Sequence, residues 1–312
     1  MGALETDIKS LKKAARQNVG PEILKRIDQI IKTGLIELKS DFKIYWDNFP
    51  IAKLIPGKDY LNPELSLIID DMVENTEKNK LTNYLQNWVL EKINNDLKSL
   101  IDLKLLKENN PNVRALAFLL YENNGVVKRY GITENLKKLN QEDRKILRNL
   151  GVKFGRYHIF LFKLFKPKAV SLRILLWKNY HQKFFDLNPP TFGLNFLEGN
   201  KYHNKEFMLL CGFEKFDNFF VRIDILERLF IKIINSDISS KKEIKLIPEM
   251  LNLLGCSKEN FVKIINKMDY KFYEKNNETY FRYNPKRSAI KSKFKTVNKD
   301  NPFKILNQIN FK

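Results

Sequence analysis

The 312-residue chain carries 56 Lys or Arg against 36 Asp or Glu, a formal charge of +20, and is 43% hydrophobic and 29% charged. That composition belongs to a globular protein with room for two or three domains and excludes a fibrous or low-complexity chain. Two cysteines without a CxxC spacing exclude a disulfide scaffold and a cysteine-based zinc site, and no apolar run reaches the roughly 18 residues of a membrane span.

No charged-then-apolar leader opens the sequence, so the expected setting is a reducing cytoplasm with no membrane partner. The charge is uneven. Residues 1–150 hold 25 basic and 21 acidic side chains, whereas residues 151–312 hold 31 and 15. Lysines number 44 and arginines 12, as A/T-rich codon usage alone would produce. The asymmetry between halves, not the total, therefore points to a partner surface in the second half.

In chain order, Leu4, Ile8, Leu11 and Ala15 predict an amphipathic helix over 3–17. Pro21 opens a second, which ends near Gly34. The period then changes to two: Ile36 and Leu38, then Phe42, Ile44 and Trp46, predict a small β-ribbon between 35 and 54. Pro56-Gly57 and Asn62-Pro63 read as a loop. A long helical pattern spans 77–107, and Asn109-Asn110-Pro111 stops it. A compact helix follows with Val113, Leu116, Ala117 and Leu120 inward. Asn140 is placed to cap the next helix, and Glu142 and Asp143 favour its positive end.

Residues 151–185 stand apart. They hold eight Lys or Arg and no acid, interleaved with nine aromatics. Uncompensated positive charge beside flat rings suits single-stranded nucleic acid, with a buried core strand and helix as the bland alternative. Lys153 to Phe162 reads as a strand, and Pro167 opens a helix to about Tyr180. Lys168, Arg173 and Lys178 are five apart and so fan around that helix. The candidate contacts here are Lys153, Arg156, Tyr157, His158, Lys163, Lys166, Lys168, Arg173, Trp177 and Lys178, with Tyr157 and Trp177 as stacking platforms.

Residues 186–205 form the best internal boundary. Beyond it, helical patterns centred on Leu226–Ile233, on Met250 and Leu254, and on Phe261–Met268 precede a hairpin over 271–283. Three helices, with a tight Gly255-Cys256-Ser257 turn and a following hairpin, predict a winged helix-turn-helix. Lys258, Lys263, Lys267 and Lys271 would be its phosphate contacts. The tail from Asn284 has eight basic residues and one acid, Asp300.

Catalytic signatures are missing from the sequence. Pro56-Gly57-Lys58-Asp59 lacks the first glycine and the hydroxyl residue of a phosphate-binding loop. The histidines His158, His181 and His203 lie far apart, and Asp70-Asp71 and Glu142-Asp143 are adjacent pairs that diverge on a helix. No catalytic residue, metal site or cofactor site is assigned.

Five blocks share an order: WDNFPIAKLIPG (46–57), VRALAFLLYENNGVV (113–127), GVKFGRYHIFLFKLFKPKAVSLRILLW (151–177), VRIDILERL (221–229) and IPEMLNLLGCSKENFVKIINKMDYK (247–271). Together they resemble the C-terminal region of alphaproteobacterial superfamily 2 ATP-dependent helicases, relatives of the mitochondrial RNA-degradosome helicase subunit. The sequence departs from that pattern at Phe162, where the family has a proline. The resemblance implies ATP-dependent unwinding, with RNA favoured, by a motor upstream of this region. These 312 residues contain no motor motif, so ATP and Mg would enter only with a separate motor.

The expected fold is mainly α with small β elements (α+β). It is expected as a multi-domain helical module: a helical segment with ribbon (1–110), a helical domain bearing the basic-aromatic stretch (111–205), a winged-helix-like domain (206–283) and a flexible basic tail (284–312). The expected function is RNA or single-stranded DNA binding as a helicase accessory module, with a separate helicase motor or exoribonuclease as protein partner. The alternatives are a scaffold that docks a helicase or nuclease and a winged-helix DNA-binding regulator.

Overall fold

In the computed structural model, residues 25–68, 75–107, 110–199, 204–236 and 243–284 are described. The expected helix at 3–17, Asp70-Asp71, His203 and the tail from 285 lie outside the described residues.

Helix α1 (25–33) buries Ile27 and Ile30 and leads into a four-stranded antiparallel meander. Its strands are β1 (Ile36–Leu38), β2 (Lys43–Trp46), β3 (Phe49–Asp59) and β4 (Asn62–Leu67). Asp47 and Asn48, both with positive φ, make the two-residue turn that suits the right-handed twist of paired strands. Pro56-Gly57 and Asn62-Pro63, expected as loop, lie within β3 and β4. A register irregularity between Ile55 and Asp59 absorbs the proline. Gly57 is required there, because a Cβ would stand 1.9 Å from the Asn62 carbonyl oxygen.

The helical pattern over 77–107 divides into α2 (Asn75–Asp96) and α3 (Lys98–Lys104). Leu97 leaves helical geometry between them, so that Leu97, Leu100 and Leu103 all reach the core. Helix α4 (Pro111–Glu122) starts with Asn110 accepting from the Asn112 amide and Pro111 in the first turn. Strand β5 (Val126–Lys128), the 3-10 turn η1 (Arg129–Ile132) and α5 (Thr133–Lys137) follow. Helix α6 (Gln141–Asn149) carries a complete capping box between Asn140 and Asp143.

The segment expected as one strand is two: β6 (Val152–Phe154) and β7 (His158–Leu161), joined in a three-stranded sheet of order β5-β7-β6. After η2 (Phe162–Phe165), helix α7 (Pro167–His181) runs through the middle of the fold and buries both sides. One side belongs to the first core, formed by α1 to α6 and the first sheet. The other, Val170, Ile174 and Trp177, packs on α8 (Lys205–Leu210).

A third sheet orders β8 (Phe196–Glu198), β10 (Phe219–Arg222) and β9 (Phe213–Phe216). The last elements are α9 (Ile223–Ser236), β11 (Ile244–Lys245), α10 (Pro248–Leu254), α11 (Lys258–Lys267), β12 (Tyr270–Lys275) and β13 (Glu278–Tyr283), with sheet order β11-β13-β12.

The expected architecture, mainly helical and ending in a winged helix-turn-helix, is corrected here. About 51% of the described residues are helical and 24% are in strands, set in four small antiparallel sheets, and no winged helix is identified. That expectation rests on helical periodicity at 226–268, the tight Gly255-Cys256-Ser257 turn and the hairpin pattern after it, none of which says what the helices pack on. Their core takes in Phe216, Phe219 and Val221 of the preceding sheet, with Tyr157 and Phe196 against it. The strands that raise the β content are mostly short, too short to show a clear period in sequence.

Candidate nucleic-acid interface

The site is built on a turn. Strands β6 and β7 pair Phe154 with Ile159, and the Gly155 amide donates to the His158 carbonyl at 2.8 Å. This leaves the amides of Arg156, Tyr157 and His158 pointing to one place. They converge on the Glu227 carboxylate of α9, at 2.5, 2.9 and 2.6 Å. Gly155 is essential to that approach: a Cβ would lie 2.4 Å from the Glu227 carboxyl carbon. Glu227 sits on the apolar face of α9 beside Leu226 and Phe230 and is 2% exposed.

His158, also buried, extends the cluster. Its Nδ1 lies 3.0 Å from Glu227 and its Nε2 3.2 Å from Glu214 of β9. Lys128 of β5, opposite His158 in the sheet, donates to the other Glu214 oxygen at 2.5 Å. Burial by itself lowers the His158 pKa, but its two carboxylate partners outweigh burial, and the value stands above the ordinary 6.5. For Glu214, burial raises the pKa, and His158 and Lys128 together bring it below the ordinary 4.5. A protonated His158 between two carboxylates is the state this geometry favours.

Above the cluster opens a cleft of about 500 Å³. Arg156 lies over the rings of Tyr157 (6.0 Å) and Tyr283 (5.3 Å), and it has no ion-pair partner among the described residues. Tyr157 is anchored from below: its hydroxyl donates to the Met268 carbonyl at 3.1 Å, and its ring meets Phe230 at 4.5 Å. Burial pushes its hydroxyl pKa well above the ordinary 10.0. Arg129 donates to the Gly155 carbonyl at 2.7 Å and so braces the turn from the opposite wall. Tyr130 stands 85% exposed at the rim. Lys267 closes the far side, 3.2 Å from Asp217.

Of the residues singled out in the sequence, Arg156, Tyr157, His158 and Lys267 meet in this cleft. His158 is beneath its floor and presents no surface to a ligand. Lys153, Lys258, Lys263 and Lys271 are exposed elsewhere, and Lys258 lies 4.0 Å from Glu274. Lys163, Lys166 and Lys168 are exposed around the start of α7.

The other three are interior. Arg173 is fully buried and donates to the carbonyls of Asn124 (2.8 Å) and Leu210 (2.7 Å). Leu210 closes α8 and Asn124 lies two residues past α4, so the guanidinium is held by backbone carbonyl oxygens in place of a carboxylate. Burial brings its pKa down to about 10. Trp177 stacks on Phe184 at 5.4 Å. Lys178 is bonded to the Leu187 carbonyl and lies over Phe207.

Lys128, Arg129 and Tyr130 were missed in the sequence, although they form a basic-aromatic triplet just before the main stretch. Glu227 was missed as well. Its signal is an acid on the apolar face of a helix, between Leu226 and Phe230. Among the described residues no group of His, Cys, Asp and Glu could hold a metal ion, and no helix is long and apolar enough to cross a membrane. No family model, no curated protein and no solved structure matches the chain.

Proposed function

We propose that this chain binds single-stranded nucleic acid, RNA above all, in the cleft of Arg156, and serves as an accessory module to an ATP-dependent helicase whose motor is not among these 312 residues. The carrying observation is the cleft itself. Lys128, Arg129, Arg156 and Lys267 come from separate places in the chain to one concave surface, with Tyr130, Tyr157 and Tyr283 among them. Phosphates would lie along the cations and bases against Tyr130 and Tyr283. The helicase role and the choice of RNA rest on the sequence resemblance, and in this reading the chain works in the cytoplasm.

The test is fluorescence anisotropy of labelled single-stranded RNA, single-stranded DNA and duplex at two salt concentrations. Single strands lose about 0.7 log units of affinity per log unit of salt for each phosphate neutralised. The two cleft cations without a carboxylate partner among the described residues, Arg129 and Arg156, would weaken binding roughly sevenfold between about 50 and about 200 mM salt, and roughly 50-fold if Lys128 and Lys267 leave their carboxylates for phosphate. Arg156→Gln and Tyr130→Ala should each cut single-strand affinity by roughly tenfold. Equal binding by both variants and the parent would remove the cleft from the function.

A further inference from the structure

A second concave surface, separate from the Arg156 cleft, follows helix α7. Lys168, Ser171, Leu172, Leu175 and Lys178 recur at helical spacing along one wall. The β1–β2 turn, with Leu38 and Phe42, forms the facing wall, and the loop after α7 overhangs both through Phe185, Pro189 and Phe192. The space is about 900 Å³, and past Pro167, Pro189 and Phe192 it continues into a further 350 Å³ beside Phe162 and Leu194. Phe162, Phe185, Phe192 and Leu194 are 40–49% exposed. Single exposed apolar residues are ordinary, but four along one groove mark an interaction surface.

Backbone strain concentrates at the same place. Phe42 has φ 67° and Phe184 φ 62°, left-handed values that a bulky side chain seldom adopts. The Phe42 ring meets Phe185 edge-on at 5.5 Å, so the two strained segments together shape the groove mouth. Backbone strain of this kind is held by the surrounding structure and clusters at binding and catalytic sites.

Charge decides what the groove takes. Asp41, Asp96 and Asp224 line it, and each is already satisfied: by Tyr45 at 2.7 Å, Lys92 at 3.6 Å and Arg222 at 2.7 Å. Lys166 and Lys168 also line it, and neither has a carboxylate partner among the described residues. With the three carboxylates paired, the groove keeps only two unpaired cations among its described residues, at the start of α7, and otherwise mostly carbon walls, too little charge for a polyanion. An apolar peptide would fill the carbon walls, and acids beside its core would meet the free lysines.

We infer that the α7 groove docks a segment of a partner protein with an apolar core and flanking acidic residues. The full chain would be titrated into a fluorescein-labelled probe peptide with a Leu-Phe core and aspartate flanks. Two comparison probes carry lysine flanks or a serine core. The acidic-flanked probe should bind at least tenfold tighter than either, about 1.4 kcal/mol. Ser171→Trp, which fills the groove from an exposed position, should abolish binding, and Lys166→Glu with Lys168→Glu should weaken it by a similar factor. Thermal melts of the variants should match the parent. Equal binding of the lysine-flanked probe would overturn the inference. So would displacement of the probe by single-stranded RNA, or a dimer in sedimentation velocity that Ser171→Trp dissolves, since the occupant would then be RNA or a second copy.

Discussion

Replacing Glu227 by glutamine keeps the shape of the side chain and removes the charge that gathers the 155–158 turn. One carboxylate oxygen accepts from the Tyr157 amide, the His158 amide and His158 Nδ1, and the other accepts from the Arg156 amide. In Glu227→Gln one of these oxygens becomes an NH2 group. If it is the second, a donor faces the Arg156 donor, and the three remaining bonds go to a neutral acceptor. Losing a charge-assisted bond is worth about 1.5–3 kcal/mol, and the orphaned amide adds about 1–3. The total, about 2.5–6 kcal/mol, brackets the roughly 3–5 kcal/mol that removing one member of a buried ion pair usually costs. It is a large share of a native stability of about 5–15 kcal/mol. The assay is urea unfolding together with hydrogen exchange at the amides of 156–158. The midpoint should fall and those amides should lose protection. A loss below about 1 kcal/mol, with the amides still protected, would refute the account of the turn.

The same cluster sets a pH dependence. Because the His158 pKa is raised in the fold, its contribution is complete below about 6.5 and is lost as pH rises through the folded value. Because the Glu214 pKa is lowered, its contribution is complete above 4.5 and is lost as pH falls through the folded value. Stability from the cluster should therefore be greatest between those two pH values and should decline on the alkaline side, and Glu227→Gln should move the NMR titration of His158 downward. Gly155→Ala should destabilise by about 3 kcal/mol or more and expose the same amides, since its Cβ displaces the carboxylate. Arg173→Met should lower stability by about 2–4 kcal/mol in a thermal melt, because two buried carbonyls lose their donor while the packing volume is kept. Both thiols should alkylate slowly at mildly alkaline pH, with burial pushing Cys211 up to about 12 and Cys256 to about 11.

What could be read from sequence was local. Asn140 and Asp143 cap α6, Ser257 caps α11 by accepting from the Asn260 amide, and Pro167 and Pro248 stand in first helical turns. Each rests on atoms a few residues apart, and so the sequence shows it. The division of 153–162 into two strands depends on Glu227, some 70 residues away, filling the turn. The strands through Pro56 and Pro63 depend on a local shift of register with a neighbour. Nothing in the basic-aromatic stretch distinguishes Arg156, which faces the cleft, from Arg173, which is sealed beneath two helix ends. Formal charge per segment therefore overstates the charge available to a ligand by the cations the fold keeps for itself.

The cleft and the buried cluster are coupled through the backbone. Arg156 and Tyr157 reach the cleft only because their own amides are held from beneath by Glu227, and Arg129 is fixed to the carbonyl of the same turn. Glu227→Gln should then weaken single-strand binding as well as stability, although Glu227 is buried and cannot touch a ligand. Arg156→Gln should weaken binding and leave stability close to that of the parent, because its side chain holds only exposed and half-buried rings. Anisotropy and urea midpoints measured on both variants separate the two roles. If Glu227→Gln unfolds at lower urea yet binds as the parent does, the turn is not what presents Arg156. The cations of the cleft would then act as independent surface charges, with an affinity that follows their number and not their arrangement.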